Sequence, residues 1–244
     1  ASQGFSLRVT APITNDISST FRYNYKELTY TSDSYYRLSQ PYRRVVDGSP
    51  WVQSTVSNTI AYNTLDSTTL PHEGILASLT QEIAGLGGDS HFYKVSGRAR
   101  GYYTLSDEMD LVSSLSVSAG HVVSIDGSSL KVFDQFALDS NDIRGFANSG
   151  IGPRMRGDPI GGTTYFTASA ETTFPLPGVS QDAGFRGGFF VDAGTLFGND
   201  VKITNPHKGR LLGTDMEWRV AAGASLIWAS PFGPIRVDYA IPVM

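Results

Sequence analysis

Apolar and polar residues alternate with period two along most of the chain, as in strands whose two faces meet different surroundings. Phe5, Leu7, Val9 and Ala11 alternate with Ser6, Arg8 and Thr10, and Ile17, Phe21, Tyr23 and Tyr25 with Ser18, Thr20, Arg22, Asn24 and Lys26. Val52, Val56, Ile60 and Tyr62 share one face. Tyr93, Val95, Gly97, Ala99 and Tyr103 oppose Lys94, Ser96, Arg98 and Arg100, and Leu111, Leu115, Val117 and Ala119 oppose Ser114, Ser116 and Ser118. Near the end, Trp218, Val220, Ala222, Ala224, Leu226 and Trp228 oppose Arg219, Gly223 and Ser225, and Ile235, Val237 and Tyr239 oppose Arg236 and Asp238. The pattern predicts an all-β protein of about eleven antiparallel strands. Residues 75–83 fit two readings. Leu76, Leu79, Ile83 and Leu86 make a helical stripe that stops at Gly87-Gly88, whereas Ile75, Ala77, Leu79, Gln81 and Ile83 make a strand face. Their place between two clear strands favours the strand.

Alternation alone does not choose between a sandwich, which hides its apolar face against a second sheet, and a membrane barrel, which turns that face to lipid. The connectors favour the barrel. Short turns at Thr14-Asn15-Asp16, Ser106-Asp107-Glu108 and Ser230-Pro231-Phe232-Gly233 alternate with long polar or Gly-rich connectors at 31–50, 85–91, 141–162 and 198–216, as on the two rims of an outer-membrane barrel. Tyr25, Tyr30, Tyr62, Tyr102, Tyr103, Trp218 and Trp228 fall near segment ends, where interfacial girdles form; each taken singly also suits ordinary packing.

Composition narrows the chemistry. The 244 residues suffice for one large β domain. No cysteine is present, which removes disulfides, thiolate chemistry and cysteine metal sites. A net charge of −4 argues against a nucleic-acid partner. No apolar run is long enough for a transmembrane helix, a test to which barrels are blind. His72, His91, His121 and His207 show no metal-ligand spacing, so no metal or other cofactor is expected. No nucleophile elbow or phosphate loop occurs. His91 beside Asp89 and Ser90 is the one faint hint of a rim hydrolase, and an enzyme is not expected.

The candidate site is the stretch Ile143-Arg144-Gly145-Phe146 inside a Gly-rich connector. An arginine between an apolar residue and a Gly-Phe pair suits a loop tucked into the structure, with carboxylates to receive it. Glu171 shares a face with Tyr165, Thr167, Ser169 and Thr173, and Asp192 with Arg186, Gly188, Phe190 and Gly194, so both acids fall on the lumenal side. A guanidinium fork can bind such carboxylates through paired hydrogen bonds. Gly145 would allow close approach to the wall, Phe146 would anchor the loop, and Gly152, Pro153 and Arg154 would support it. The competing reading pairs each acid with a strand cation such as Arg186 or Arg219.

Several stretches together resemble one family. These are Tyr62-Asn63-Thr64-Leu65-Asp66 with Leu70-Pro71 and Gly74, the run Glu82-Ile83-Ala84-Gly85-Leu86-Gly87-Gly88-Asp89, and the Arg144 stretch with Gly150-Ile151-Gly152-Pro153-Arg154. Glu171 with Phe174-Pro175-Leu176-Pro177, then Phe189-Phe190-Val191-Asp192-Ala193-Gly194 and the run from Ser230 to Ala240, complete the set. In order and spacing the chain resembles the BamA family of outer-membrane β-barrel assembly factors, in its alphaproteobacterial form, over nearly its whole length. The resemblance implies a sixteen-stranded transmembrane barrel behind POTRA domains, with the Gly-rich loop folded into the lumen and held by Arg144 on Glu171 and Asp192. Residues 1–244 would then be a partial barrel domain, without POTRA domains, the first strands or the last strand. Such a piece either belongs to a longer chain or closes on its own cut edges. The implied function is folding and insertion of barrel proteins in the bacterial outer membrane. The implied partners are nascent outer-membrane β-barrel proteins, lipoprotein subunits of an assembly complex, and outer-membrane lipid. The alternatives are a TamA-like translocation and assembly barrel and a passive porin-type channel.

Overall fold

The structure, a computed structural model, describes the chain except residues 181–182, 205–208 and 231–232 and the side chain of residue 234. The expected turn at Pro231-Phe232 and His207 therefore lie outside the described residues. Along the chain run β1 (Ser2–Pro12), β2 (Ile17–Leu28), the helix α1 (Gln40–Asp47), β3 (Trp51–Asn63), β4 (Gly74–Ala84), β5 (Phe92–Ser106) and β6 (Leu111–Ser124). There follow β7 (Arg154–Met155), β8 (Asp158–Pro159), β9 (Thr164–Pro175), β10 (Phe185–Phe197), β11 (Leu211–Leu212), β12 (Arg219–Ser230) and β13 (Gly233–Pro242). Ten of these form one antiparallel sheet in the order β1-β2-β3-β4-β5-β6-β9-β10-β12-β13, where the sequence pattern predicts about eleven. The three two-residue strands make a small separate sheet, β11-β7-β8. Residues 74–84 are strand, paired with β3 on one side and β5 on the other.

The long sheet is a simple meander, because each strand pairs with the next long one in sequence. Its apolar face has no second layer. Val117 is 47% exposed and Phe189 65%, and Phe5, Leu7, Leu79, Val191 and Val237 are also exposed. A sandwich would cover that face; here it is left for hydrocarbon. The opposite face is polar and knitted by hydroxyl pairs, Thr10 with Thr20 at 3.0 Å, Thr59 with Thr80 at 2.9 Å and Ser118 with Thr167 at 2.5 Å. Among the described residues β1 pairs only with β2 and β13 only with β12, so the sheet does not close on its own edges as one sequence alternative allowed.

The longest connectors gather on one rim, although 85–91 there is shorter than 64–73 on the other. Residues 13–16, 64–73, 107–110 and 176–184 join strands at one end, and 29–50, 85–91, 125–163 and 198–218 at the other. The pattern of residues 31–50 predicts only a connector. It contains α1, which starts at Gln40-Pro41, where a proline's missing N–H goes unused. The helix covers the long-loop rim: Tyr42 donates to the Pro159 carbonyl at 2.6 Å, and Asp158 accepts the Ser39 N–H at 2.7 Å. Residues 125–163 turn back beneath it. Phe136 and Gly162 exchange backbone hydrogen bonds of 2.9 Å in both directions, closing the neck of this long loop. Inside, Leu138, Ile143 and Ile151 pack with Leu196 of β10, flanked by Phe136, Phe146 and Tyr165.

Candidate functional site in the lumen

Arg144 sits at the tip of the inward loop, and two strand walls meet it. Its Nε donates to Asp192 Oδ2 and its Nη2 to Asp192 Oδ1, each at 2.7 Å, a fork on one carboxylate. Its Nη1 donates to Glu171 Oε2 at 2.7 Å. Its backbone N–H donates to Asp192 Oδ2 at 3.0 Å, so the loop backbone is held as well as the side chain. Ser169 accepts Nη2 at 3.1 Å while donating to Asp192 Oδ1 at 2.7 Å. The guanidinium lies over Phe190, its Cζ 3.4 Å from the ring centroid, adding a cation–π contact. Glu171 and Asp192 are brought to it by register. Ser169 faces Asp192 and Glu171 faces Phe190 across the β9–β10 ladder, all on the inner face.

The neighbouring loop residues fit tightly. Ile143 is fully buried, and a Cβ on Gly194 of β10 would lie 2.1 Å from its Cδ1, so only glycine leaves room. Gly145 has φ +88° and approaches Ala221 and Ala240, where a Cβ would lie 3.4 and 3.1 Å from theirs. Phe146 packs beside the cluster of Leu138, Ile143, Ile151 and Leu196. Gly152 has φ +99° and lies against Leu196, Pro153 is buried, and Arg154 donates to the carbonyls of Gly157 (2.9 Å) and Ser149.

The alternative strand cations go elsewhere. Arg186 pairs with Asp110 and also donates to its carbonyl at 2.8 Å; Arg219 pairs with Glu217 at 2.7 Å. The cation that sequence reasoning passed over is Arg236 of β13, whose Nη2 lies 2.6 Å from Glu171 Oε2. Its inward position was readable from the alternation with Ile235 and Val237; its reach across the wall was not. The residues of the hydrolase hint separate. Ser90 donates to Asp134 at 2.9 Å, His91 lies 3.3 Å from Asp126, and Asp89 accepts the Val52 N–H at 2.7 Å. Among the described residues no group of His, Cys, Asp and Glu is arranged to hold a metal ion.

Fold and site together define a transmembrane β-barrel wall whose lumen receives a loop clasped by arginine. Residues 1–244 match the Omp85 superfamily domain, and the chain belongs to that superfamily. It is 34% identical over 191 residues to the outer membrane protein assembly factor BamA of Neorickettsia risticii, covering 78% of this chain and 24% of that protein. It is 29% identical over 200 residues to the human sorting and assembly machinery component 50 homolog, covering 79% of this chain and 42% of that one. The chain thus spans well under half the length of these relatives. The fold is similar to the crystal structure of BamA from Haemophilus ducreyi lacking POTRA domains 1-3, with a TM-score of 0.77 and 24% identity over 99% of this chain and 51% of that one.

Proposed function

We propose that this chain is barrel wall from an outer-membrane protein assembly factor that folds other β-barrel proteins and inserts them into a bacterial outer membrane. Superfamily membership and the greater identity to the bacterial assembly factor than to the human homolog support this reading. The observation that carries it is the lumen occupied by a loop held on Glu171 and Asp192, which argues against the open pore of a passive channel. In this reading Arg144 pins the loop, and Gly152, Pro153 and Arg154 keep its arms folded. No covalent chemistry is involved and no cofactor is used. Each unsatisfied backbone group in hydrocarbon costs several kcal/mol, so a protein that offers a strand edge and disturbs the bilayer lowers the barrier for a client barrel. Nascent barrel proteins are the substrates, and lipoprotein subunits of an assembly complex the partners.

The test is client folding into lipid vesicles, followed by the heat-dependent gel shift of a folded barrel, with and without the full-length protein in the bilayer. Faster folding with the protein is expected. Equal rates, with large steady single-channel currents across the same bilayers, would instead establish a porin.

A further inference from the structure

The clasp extends past the two acids to the last strand of the sheet. Glu171 is shared: its Oε2 accepts Arg144 Nη1 at 2.7 Å and Arg236 Nη2 at 2.6 Å, while its Oε1 accepts Arg236 Nη1 at 2.9 Å. Arg236 Nε donates to both oxygens of Asp238 at 2.9 Å, and its Nη2 to Ser225 at 2.8 Å; Ser225 in turn donates to Asp238 Oδ1 at 2.6 Å. Arg236 and Asp238 belong to β13, Ser225 to β12 and Glu171 to β9, so one carboxylate and one guanidinium tie three strands of the inner face together across β10. They can meet because the residues between them are small. Gly188 has no side chain, and at Gly223 a Cβ would lie 2.5 Å from Phe190 Cζ. The loop touches the same strand directly where Gly145 meets Ala240.

We propose that Arg236 is a positioning residue that transmits docking of the loop to β13, so that release of the loop loosens this strand against β9–β12. This inference rests on the reading that Arg144 pins the loop. With Arg144 seated, Glu171 is held from two sides and presents both oxygens to Arg236 in one geometry. With Arg144 gone, Glu171 is held by Arg236 alone and gains rotamer freedom, the Gly145 contact with Ala240 is lost, and β13 keeps its ladder and Ser225 bonds to β12 but a looser tie to β9. The charges in contact agree: among the described residues Glu171, Asp192 and Asp238 meet Arg236 from the wall, and the loop supplies Arg144 as the second cation.

The experiment is backbone hydrogen exchange of residues 235–241 in the full-length protein in lipid vesicles, run beside limited proteolysis of residues 137–150. Arg236→Gln leaves the loop protected, because the Asp192 bonds to Arg144 remain, while exchange in β13 quickens by about ten- to a hundredfold, the loss of one or two charge-assisted hydrogen bonds. Arg236→Lys, which keeps the charge but not the fork, does not restore slow exchange. Arg144→Ala exposes the loop and quickens β13 as well; in a Glu171→Gln background, Arg236→Gln quickens β13 by less than it does alone, because only its Ser225 and Asp238 bonds are left to lose. If Arg144→Ala exposes the loop while β13 exchanges as in the wild type, transmission is wrong and pinning stands. If Arg144→Ala leaves the loop protected, pinning itself fails and this inference falls with it. Should Arg236→Gln not fold, Arg144→Ala alone decides.

Discussion

Truncating Arg144 does not injure its two carboxylates equally. In Arg144→Ala, Glu171 keeps both hydrogen bonds from Arg236, at 2.9 and 2.6 Å. Asp192 loses the whole side-chain fork and retains Ser169 at 2.7 Å and one backbone N–H at 3.0 Å. Its side chain is only 2% exposed, so it has little water to fall back on. Breaking a buried ion pair by deleting one partner costs about 3–5 kcal/mol, chiefly through the stranded charge. That cost should fall on Asp192 and be relieved by loop release. Arg144→Ala is therefore expected to expose residues 137–150 to protease and lower the unfolding temperature of the barrel. Adding Asp192→Asn should recover most of the loss, because it neutralises the stranded acid. Adding Glu171→Gln should recover nothing and harm Arg236. Limited proteolysis and heat-dependent gel shift on the four proteins read this out directly. Equal rescue by the two second substitutions, or no loss in Arg144→Ala, would refute the reasoning.

Gly194→Ala should expel Ile143, because its Cβ would overlap Cδ1 at 2.1 Å; overpacking of this kind costs about 1–3 kcal/mol, visible as faster loop proteolysis with the strands intact. Leu79→Arg, on the bare outer face, should destabilise the folded barrel by about 2–4 kcal/mol if it lies near the bilayer midplane. Thr80→Arg, one residue on and facing the lumen, should cost much less in the same urea titration. In the turn after β6, Ser128 donates to Asp126 from its hydroxyl and its N–H, and Ser124 from its hydroxyl, holding the Asp126 carboxyl down to about 2. A depressed acid stabilises above its unfolded value of 3.8 and loses that contribution as pH falls through the folded one. Asp126→Asn should therefore quicken exchange in residues 124–128 above pH 3.8, and the difference from wild type should vanish as pH falls towards 2.

The wall was legible because a sheet between lipid and water writes its two faces into alternate residues, and nothing else in the chain has that period. Even residues 75–83, whose leucines also fit a helix, resolve once β3 and β5 must be joined. Arg144 was legible as a charge with no local solvent excuse, and Glu171 and Asp192 as inward acids by parity alone. Arg236 was not, because its contact with Glu171 crosses β10 and β12 and depends on sheet curvature and on Gly223, neither of which parity encodes. The helix α1 was hidden for a different reason. At eight residues, with only Pro41 and Val45 buried, it is too short to stand out from a polar connector, and it is held by tertiary bonds from Tyr42 and Ser39.

The order of partners along the chain has a consequence for biogenesis. Arg144 leaves the synthesis machinery before Glu171, Asp192 and Arg236, all of which it needs or shares. Its loop therefore stays unanchored until the β9–β10 hairpin has formed, and the tie through Arg236 is added only when β13 joins the wall. The plug can thus lock before β13 is tied to it, and a molecule stalled short of Arg236 would hold its loop on Asp192 while Glu171 still lacked its second cation.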